Sequence, residues 1–373
     1  MKNVLFVVCT NFFGGAEYVL CDYLKDNHEN NIYIYTTNKK NIINKFSNIL
    51  RTDKVFASEK MSAVSIRKRP VKSTFNILYN LYKIHQIVKK YKIQVIYGNN
   101  TLDTVLICLY KHFFNKKIKI ISHIHDIVER NLYKKFLNKN KAYVDIYIVP
   151  SIATKKSLLK CDIDKNKIQV IYNGITIIKN IEHSDYIRCK YNISNDKKIL
   201  CFVGQICKRK RLDLFIDIIN ELNQKTNNNY IGIIIGKIID INYYEQLRKK
   251  MNKSILYLGE LKRNNIIKYI YPEITALLLT SNRDPLPTVL LEAMASGTLV
   301  IARDVDGVKE IIDDKKDGFI FSYNSDIQDI SKIVDNILVF DNENIKLSAI
   351  KKIQQKFSND NKQRIINNII KNI

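Results

Sequence analysis

Short apolar runs alternate with amphipathic stretches along the whole chain, and this alternation constrains the fold more than any other feature. In the first half the runs are Val4–Cys9, Asn31–Thr36, Val95–Tyr97, Ile118–Ser122 and Ile146–Pro150, with Gln169–Tyr172 closing the series. The second half restarts the pattern with Ile199–Val203, Tyr230–Ile235, Ile255–Leu258, Ala276–Leu279 and Leu299–Ala302. Continuous apolar runs joined by helical segments read as parallel strands buried on both faces, with crossover helices. At 373 residues the chain is too long for one ordinary α/β core. The expectation is an α/β fold with two domains, 1–178 and 179–356, closed by an amphipathic helix over 357–373. No run reaches the roughly 18 apolar residues of a membrane-crossing helix. Met1–Val8 reads as a first strand and lacks the length and cleavage site of a signal peptide.

Open parallel sheets bind ligands at the carboxyl ends of their strands, so those loops carry the candidate site. Ala276–Leu279 leads into Ser281–Gly297, S-N-R-D-P-L-P-T-V-L-L-E-A-M-A-S-G. Asp284 falls in the loop and Glu292 inside the helix that follows. Between them the backbone N–H groups of Leu286, Thr288, Val289 and Leu290 open that helix, and a helix N-terminus attracts phosphate. Carboxylates accept hydrogen bonds from sugar and ribose hydroxyls. The stretch therefore offers a phosphate site between two hydroxyl sites, the layout of a nucleotide-sugar; a plain strand–loop–helix with an N-capping Asp is the simpler alternative. A second strand ends in Gly204-Gln205-Ile206-Cys207-Lys208-Arg209-Lys210-Arg211. There the glycine clears space and four cations suit a pyrophosphate, with a solvated turn as the alternative.

Two weaker signals lie in the first half. Gly14 and Gly15, after Asn11-Phe12-Phe13, let the backbone approach a ligand at the start of a helix over Ala16–Lys25. Ile121-Ser122-His123-Ile124-His125-Asp126 ends a strand with two histidines on one face. No third ligand with zinc spacing follows them. His125 is the functional candidate because Asp126 follows it into the loop. Asp304 and Asp306 form a D-x-D pattern that reads as incidental.

The net charge of +25 is uneven, with 30 Lys and Arg against 12 Asp and Glu in residues 1–175. That imbalance points to an anionic partner: a phospholipid surface, a pyrophosphate-linked substrate or nucleic acid. The alternative is a Lys- and Asn-rich composition with no such meaning. Arg67–Lys72 makes a basic hook ahead of a helix bearing Phe75, Ile77, Leu78, Leu81, Tyr82, Ile84 and Val88 among lysines. That helix either lies on an anionic bilayer or packs its apolar stripe on the sheet. Seven cysteines, scattered singly without C-x-x-C, suit reduced thiols in a cytoplasmic protein.

The order of these motifs resembles the retaining GT-B glycosyltransferases of family 4. Gly14-Gly15-Ala16-Glu17, His125-Asp126, Asn173-Gly174-Ile175, Gly204 six residues before Lys210, Asp284-x7-Glu292 running into A-M-A-S-G, Gly307-Val308-Lys309-Glu310-Ile311-Ile312 and Asp317-Gly318 carry the likeness. It spans nearly the whole chain, most specifically over 281–318. The resemblance implies two Rossmann-like domains facing across a cleft, with the nucleotide held mostly by the second. It also implies a terminal helix returning to the first domain, and no cofactor or metal. Glu292 would bind the donor ribose, and Asp284, in place of the more usual Glu, the donor sugar. Lys210 would sit on the pyrophosphate, Gly15 near the phosphate and acceptor, and His125 on the donor sugar near the reacting carbon. Gly204, Gln205, Leu286, Thr288 and Val289 would line the donor. Gln205 stands where the family often has Arg, which leaves Arg209 or Arg211 to supply the second cation, and Pro287 removes one loop N–H.

The implied activity is transfer from a UDP-, GDP- or ADP-sugar to a glycan or polyprenyl-pyrophosphate-linked acceptor, in capsule, lipopolysaccharide or O-antigen synthesis. The implied location is cytoplasmic, peripheral on the inner face of the plasma membrane. A GT-B-fold nucleotide-sugar epimerase is the first alternative. A non-enzymatic basic protein on membrane or nucleic acid is the second, and the D-x7-E block argues against it; no nucleic-acid partner is expected.

Overall fold

A computed structural model of the protein describes residues 1–10, 13–61, 70–176 and 185–373. Asn11, Phe12, the side chains of the Arg67–Lys72 hook and the boundary expected near 178 lie outside the described residues. The chain divides into two compact units, Met1–Gly174 with Asn359–Ile373, and Ile175–Ser358.

The first unit runs β1 (Asn3–Val8), α1 (Gly15–Lys25), β2 (Asn31–Thr37), α2 (Lys40–Ser47), β3 (Val55–Ser58), α3 (Pro70–Lys90), β4 (Val95–Gly98), α4 (Thr101–Phe113), β5 (Lys119–His123), α5 (Asn131–Asn140), β6 (Ile146–Val149), α6 (Ile152–Leu159) and β7 (Ile168–Val170). Its strands form one parallel sheet in the order β3-β2-β1-β4-β5-β6-β7.

The second unit runs α7 (Tyr186–Tyr191), β8 (Lys198–Val203), α8 (Leu212–Lys225), β9 (Tyr230–Ile235), α9 (Ile241–Arg248), β10 (Ile255–Tyr257), α10 (Arg263–Asn265, continued by a π-helical turn to Ile270), β11 (Ala276–Leu279), α11 (Thr288–Ala295), β12 (Leu299–Arg303), α12 (Val308–Ile311), β13 (Phe319–Phe321), α13 (Ile327–Val339) and α14 (Glu343–Lys356). Its sheet is also parallel, in the order β10-β9-β8-β11-β12-β13. The last helix, α15 (Asn359–Asn372), belongs to the first unit.

Each sheet reverses its strand order once, at β1/β4 and at β8/β11, as in a Rossmann fold. That reversal opens a crevice outside the carboxyl ends of the two central strands. The expected α/β class with two Rossmann-like domains is therefore what the chain forms. The sequence reading missed β3 and β13. Both are short edge strands, half-exposed along most of their length, so they carry no long apolar run.

Packing explains two of the helices. α3 buries Leu81, Ile84, Ile87 and Val88 in the core under the first sheet, which is the sheet-packing alternative for this segment. α15 buries Ile366, Ile369 and Ile370 against Phe6, Tyr23 and Ile34. Asn367 Oδ1 there accepts from Tyr23 Oη at 2.7 Å, and Lys362 Nζ donates to the Val19 carbonyl at 2.9 Å.

Gly236, at the end of β9, has φ +151°, and a Cβ there would lie 1.8 Å from the Gly204 carbonyl oxygen. Gly236→Ala is expected to destabilise the protein by roughly 2–4 kcal/mol through that clash and strain. Denaturant unfolding measures it, and an unchanged midpoint would refute the close approach.

Candidate active site

In the second unit, two loops at the β8/β11 reversal are fastened together. After β8 the chain makes a 3-10 turn, Lys208–Lys210, and Arg211 takes a left-handed conformation at φ 53° to start α8. Thr280, the first residue beyond β11, is buried, and its Oγ1 donates to the carbonyls of Lys210 and Arg211 at 3.1 and 2.9 Å. Asn282 N–H donates to the Arg209 carbonyl, and Arg209 Nη1 donates back to the Arg283 carbonyl, both at 2.9 Å. Asn282 Oδ1 also accepts from Arg303 Nη1 at 2.6 Å.

This strapping brings the expected Lys210 and Asp284 together. Lys210 Nζ donates to Asp284 Oδ2 at 2.5 Å, with the two side chains 14% and 10% exposed. The lysine stem passes beside Gly204, where a Cβ would meet its Cδ and Cε at 3.7 and 3.8 Å, ordinary contact distances, so the space expected from this glycine is not needed by the lysine. Gln205 follows at the same strand end, half-buried. Asp306 fixes the loop from the other side: its carboxylate accepts Asp284 N–H at 2.8 Å and both contacts from Arg283 Nε at 3.1 Å. Asp304 accepts from Lys309 at 2.6 Å, so both acids of the D-x-D pattern are engaged by this chain. Gly307 is required here, because a Cβ would lie 2.0 Å from the Pro285 carbonyl oxygen.

Leu286, Thr288 and Val289 present backbone N–H groups with no partner among the described residues. Leu290 does not join them: its N–H donates to the Pro287 carbonyl at 3.1 Å, because α11 begins only at Thr288. Arg211 lies at this edge, but its Nε donates to both oxygens of Asp213 at 3.0 and 2.8 Å. It positions the turn, and Lys210 carries the cation that meets Asp284.

Glu292 is buried one turn into α11. Its Oε1 accepts from Arg263 Nε at 2.6 Å and its Oε2 from Tyr271 Oη at 3.4 Å. Arg263, Glu292, Thr176 and Ser296 line one small recess. The sequence reading did not find Arg263, which sits on a short helix with no strand-end marker.

The first unit builds a different site at the β1/β4 reversal. Gly14 precedes α1 and donates its N–H to Glu17 Oε2 at 2.8 Å, so the Glu17 carboxylate folds back over the N-terminus that Gly15 begins. His123 and His125 do share a face: their rings lie 3.8 Å apart at 30°. His123 Nδ1 pairs with Tyr97 Oη at 2.8 Å, and His125 Nε2 with Asn99 Oδ1 at 3.3 Å. Asn99 Nδ2 and His123 Nε2 are buried without a hydrogen-bond partner among the described residues. Asn99 was legible in principle, since it closes the β4 run as His125 follows β5.

Burial, and then the Lys362 ammonium, depress His125 to about 3. Burial chiefly, with His125 and Lys362, holds His123 well below the usual histidine range. Both rings are therefore neutral at pH 7. In the unfolded chain each titrates near 6.5, so that state binds more protons below 6.5. The stability they confer is full above about pH 6.5 and is lost as pH falls from there towards the folded value. For His125 the loss between pH 7 and 5 is on the order of 2 kcal/mol. Calorimetric melting across that range should fall steeply in the wild type and less in His125→Gln; equal slopes would contradict the burial.

Comparison with known proteins covers both units. The family described as Glycosyl transferases group 1 matches residues 184–358, and Glycosyltransferase Family 4 matches residues 34–177. An uncharacterized glycosyltransferase of Methanocaldococcus jannaschii is 25% identical over 331 residues, 81% of this chain and 83% of its own. The GalNAc-alpha-(1->4)-GalNAc-alpha-(1->3)-diNAcBac-PP-undecaprenol alpha-1,4-N-acetyl-D-galactosaminyltransferase of Campylobacter jejuni is 25% identical over 195 residues, 52% of each chain. Among solved structures, Anabaena HepE in complex with UDP and glucose is similar with a TM-score of 0.84 at 16% identity, over 100% of both chains. That likeness is one of fold, two Rossmann-like domains of the GT-B type. With family matches across both units and the Asp284–Glu292 block at the β8/β11 edge, this chain belongs to the group 1, family 4 glycosyltransferases.

Proposed function

We propose that the enzyme moves a hexose-type sugar, with retention at the anomeric carbon, from a nucleoside diphosphate sugar to a lipid-linked glycan. The observation that carries this reading is the Lys210–Asp284 pair beside the open N–H groups of Leu286, Thr288 and Val289. A diphosphate at that edge meets a cation and three backbone donors. The sugar then falls to Asp284, whose carboxylate accepts from its hydroxyls. Glu292, kept in place by Arg263, accepts from the ribose.

In the transfer step the bond from the anomeric carbon to the diphosphate oxygen breaks, and its electron pair goes to that oxygen. Lys210 and the α11 N-terminus stabilise the charge as it develops. The acceptor hydroxyl attacks on the same face. Its proton passes to the departing phosphate oxygen as the new carbon–oxygen bond forms. The chain's own cations meet the charge, and no metal ion enters this account. The first unit takes the acceptor, with neutral His125 and the unpartnered Asn99 Nδ2 as hydrogen-bonding groups.

The acceptor class draws on the Campylobacter relative, whose name specifies an undecaprenol-linked glycan. With such an acceptor the enzyme would work in cell-surface polysaccharide synthesis, of the capsule, lipopolysaccharide or O-antigen kind, a reading the Campylobacter relative supports. No described helix is long and apolar enough to cross a membrane. Work on a lipid-linked acceptor would then occur at the inner membrane face, to which a chain of net charge +25 is attracted.

Lys210→Ala is expected to lower kcat by roughly 10²-fold, the cost of one electrostatic donor at a developing charge. Glu292→Gln should raise the donor KM by roughly 10-fold with less effect on kcat, as for the loss of a charged hydrogen bond. Steady-state kinetics separates the two; near-normal turnover in Lys210→Ala would remove that residue from leaving-group stabilisation. NMR of the product should give the donor's anomeric configuration, and an inverted product would end the retaining mechanism.

A further inference from the structure

The outer face of α3 carries large apolar side chains that no core covers. A 3.6-residue period puts Leu81, Ile84, Ile87 and Val88 on one side, and these are buried. Phe75, Leu78, Tyr82, Gln86 and Lys89 fall on the opposite side. Phe75 is 69% exposed, Leu78 55% and Tyr82 53%. The helix thus carries apolar side chains on both sides, and only the side of Leu81, Ile84, Ile87 and Val88 enters a core. Three large apolar side chains at i, i+3 and i+7 on a solvent face are not needed for packing.

Charge distinguishes this face from a chance patch. Tyr79, beside it, has Lys60 Nζ 4.1 Å and Lys83 Nζ 5.7 Å from its ring centre. Lys89 and Lys90 end the helix in solvent. At the end of α4, which packs on α3, Phe113 is 65% exposed, and Lys116 and Lys117 follow it in solvent. From Lys60 to His125 the chain holds 13 Lys and Arg and a single acid, Asp103. Asp103 is fully buried, and its carboxylate accepts from the backbone N–H groups of Cys9 and Asn99. The stretch is thus strongly cationic, with one exposed acid, Glu59, immediately before it.

We infer that the outer face of α3, Phe75, Leu78 and Tyr82 with Lys83, Lys89 and Lys90 on the same helix, is a docking surface for an anionic phospholipid bilayer. The aromatic and leucine side chains enter the headgroup boundary, and the lysines pair with lipid phosphates. A nucleic acid would use the lysines but has no use for Leu78 and Phe75 along a helix axis. The bilayer accounts for both components. The inference concerns where the enzyme sits, and it stands or falls separately from the sugar-transfer reading.

Vesicle flotation tests it with the full chain and no sugar donor. The protein should float with phosphatidylcholine vesicles containing phosphatidylglycerol, stay in solution with phosphatidylcholine alone, and be released by high salt. Combined Lys83→Glu, Lys89→Glu and Lys90→Glu should lower the partition coefficient by about 5-fold or more for each lysine. Phe75→Ser with Leu78→Ser and Tyr82→Ser should abolish flotation that low salt would otherwise allow. Lys253→Glu, Lys332→Glu and Lys351→Glu in the second unit change the net charge equally and should leave flotation intact. Circular dichroism checks that every variant is folded. Equal loss in both lysine triples would reduce the effect to net charge and overturn the assignment. So would undiminished flotation of the α3 variants, or binding to duplex DNA with none to vesicles.

Discussion

The contact between Lys210 and Asp284 is the one on which the second unit's chemistry depends. Neither residue lies in a regular element that would fix it. Lys210 ends a 3-10 turn and Asp284 stands in a loop followed by two prolines. What holds them is a set of polar straps: Thr280 on the Lys210 and Arg211 carbonyls, Asn282 on Arg209, and Asp306 on the Asp284 N–H. Two close backbone approaches add to these, at Gly236 against Gly204 and at Gly307 against Pro285. A partly buried ion pair adds little net stability, because desolvation offsets attraction. Its value here is geometric: a cation and an acid are presented side by side where α11 opens its N–H groups.

The first unit follows the same strand plan and holds a different kind of site. Among the described residues, the loops at its β1/β4 reversal carry no cluster of cations. Instead burial strips His123 and His125 of charge, and a ring contact, Tyr97 and Asn99 set their orientation. Two buried nitrogens, on Asn99 and His123, have no hydrogen-bond partner among the described residues. One sheet edge is therefore electrostatic and suited to phosphate, and the other is neutral and suited to hydroxyls. That division of labour matches an enzyme that joins a charged donor to a polyol acceptor.

Much of this was legible in the sequence because parallel sheets announce themselves. Buried strands such as Tyr230–Ile235 are apolar throughout, and the residues after them are the ones a ligand meets. Asp284 and His125 could be named on that rule, which also marked the four cations Lys208–Arg211, and the family resemblance singled out Lys210 among them. The edge strands Val55–Ser58 and Phe319–Phe321 could not, since half-exposed strands carry mixed residues. Nor could the partners that decide charge. Nothing near Arg263 or Asp306 in sequence marks them as partners of Glu292 and Asp284, because those pairings are made by the fold. The α3 helix was ambiguous for a related reason. Its periodicity supports core packing and surface docking equally, and only the structure shows which face is buried and that Phe75, Leu78 and Tyr82 are left outside.

The central claim is that the diphosphate of the donor binds between Lys210 and the start of α11. A crystal structure of the enzyme with a bound nucleoside diphosphate tests it most directly. The account predicts phosphate oxygens within hydrogen-bond distance of Lys210 Nζ and of the Thr288 and Val289 N–H groups, with the ribose hydroxyls on Glu292. A nucleotide bound with its phosphates away from Lys210 and α11, or held by the β1/β4 edge of the first unit, would contradict it.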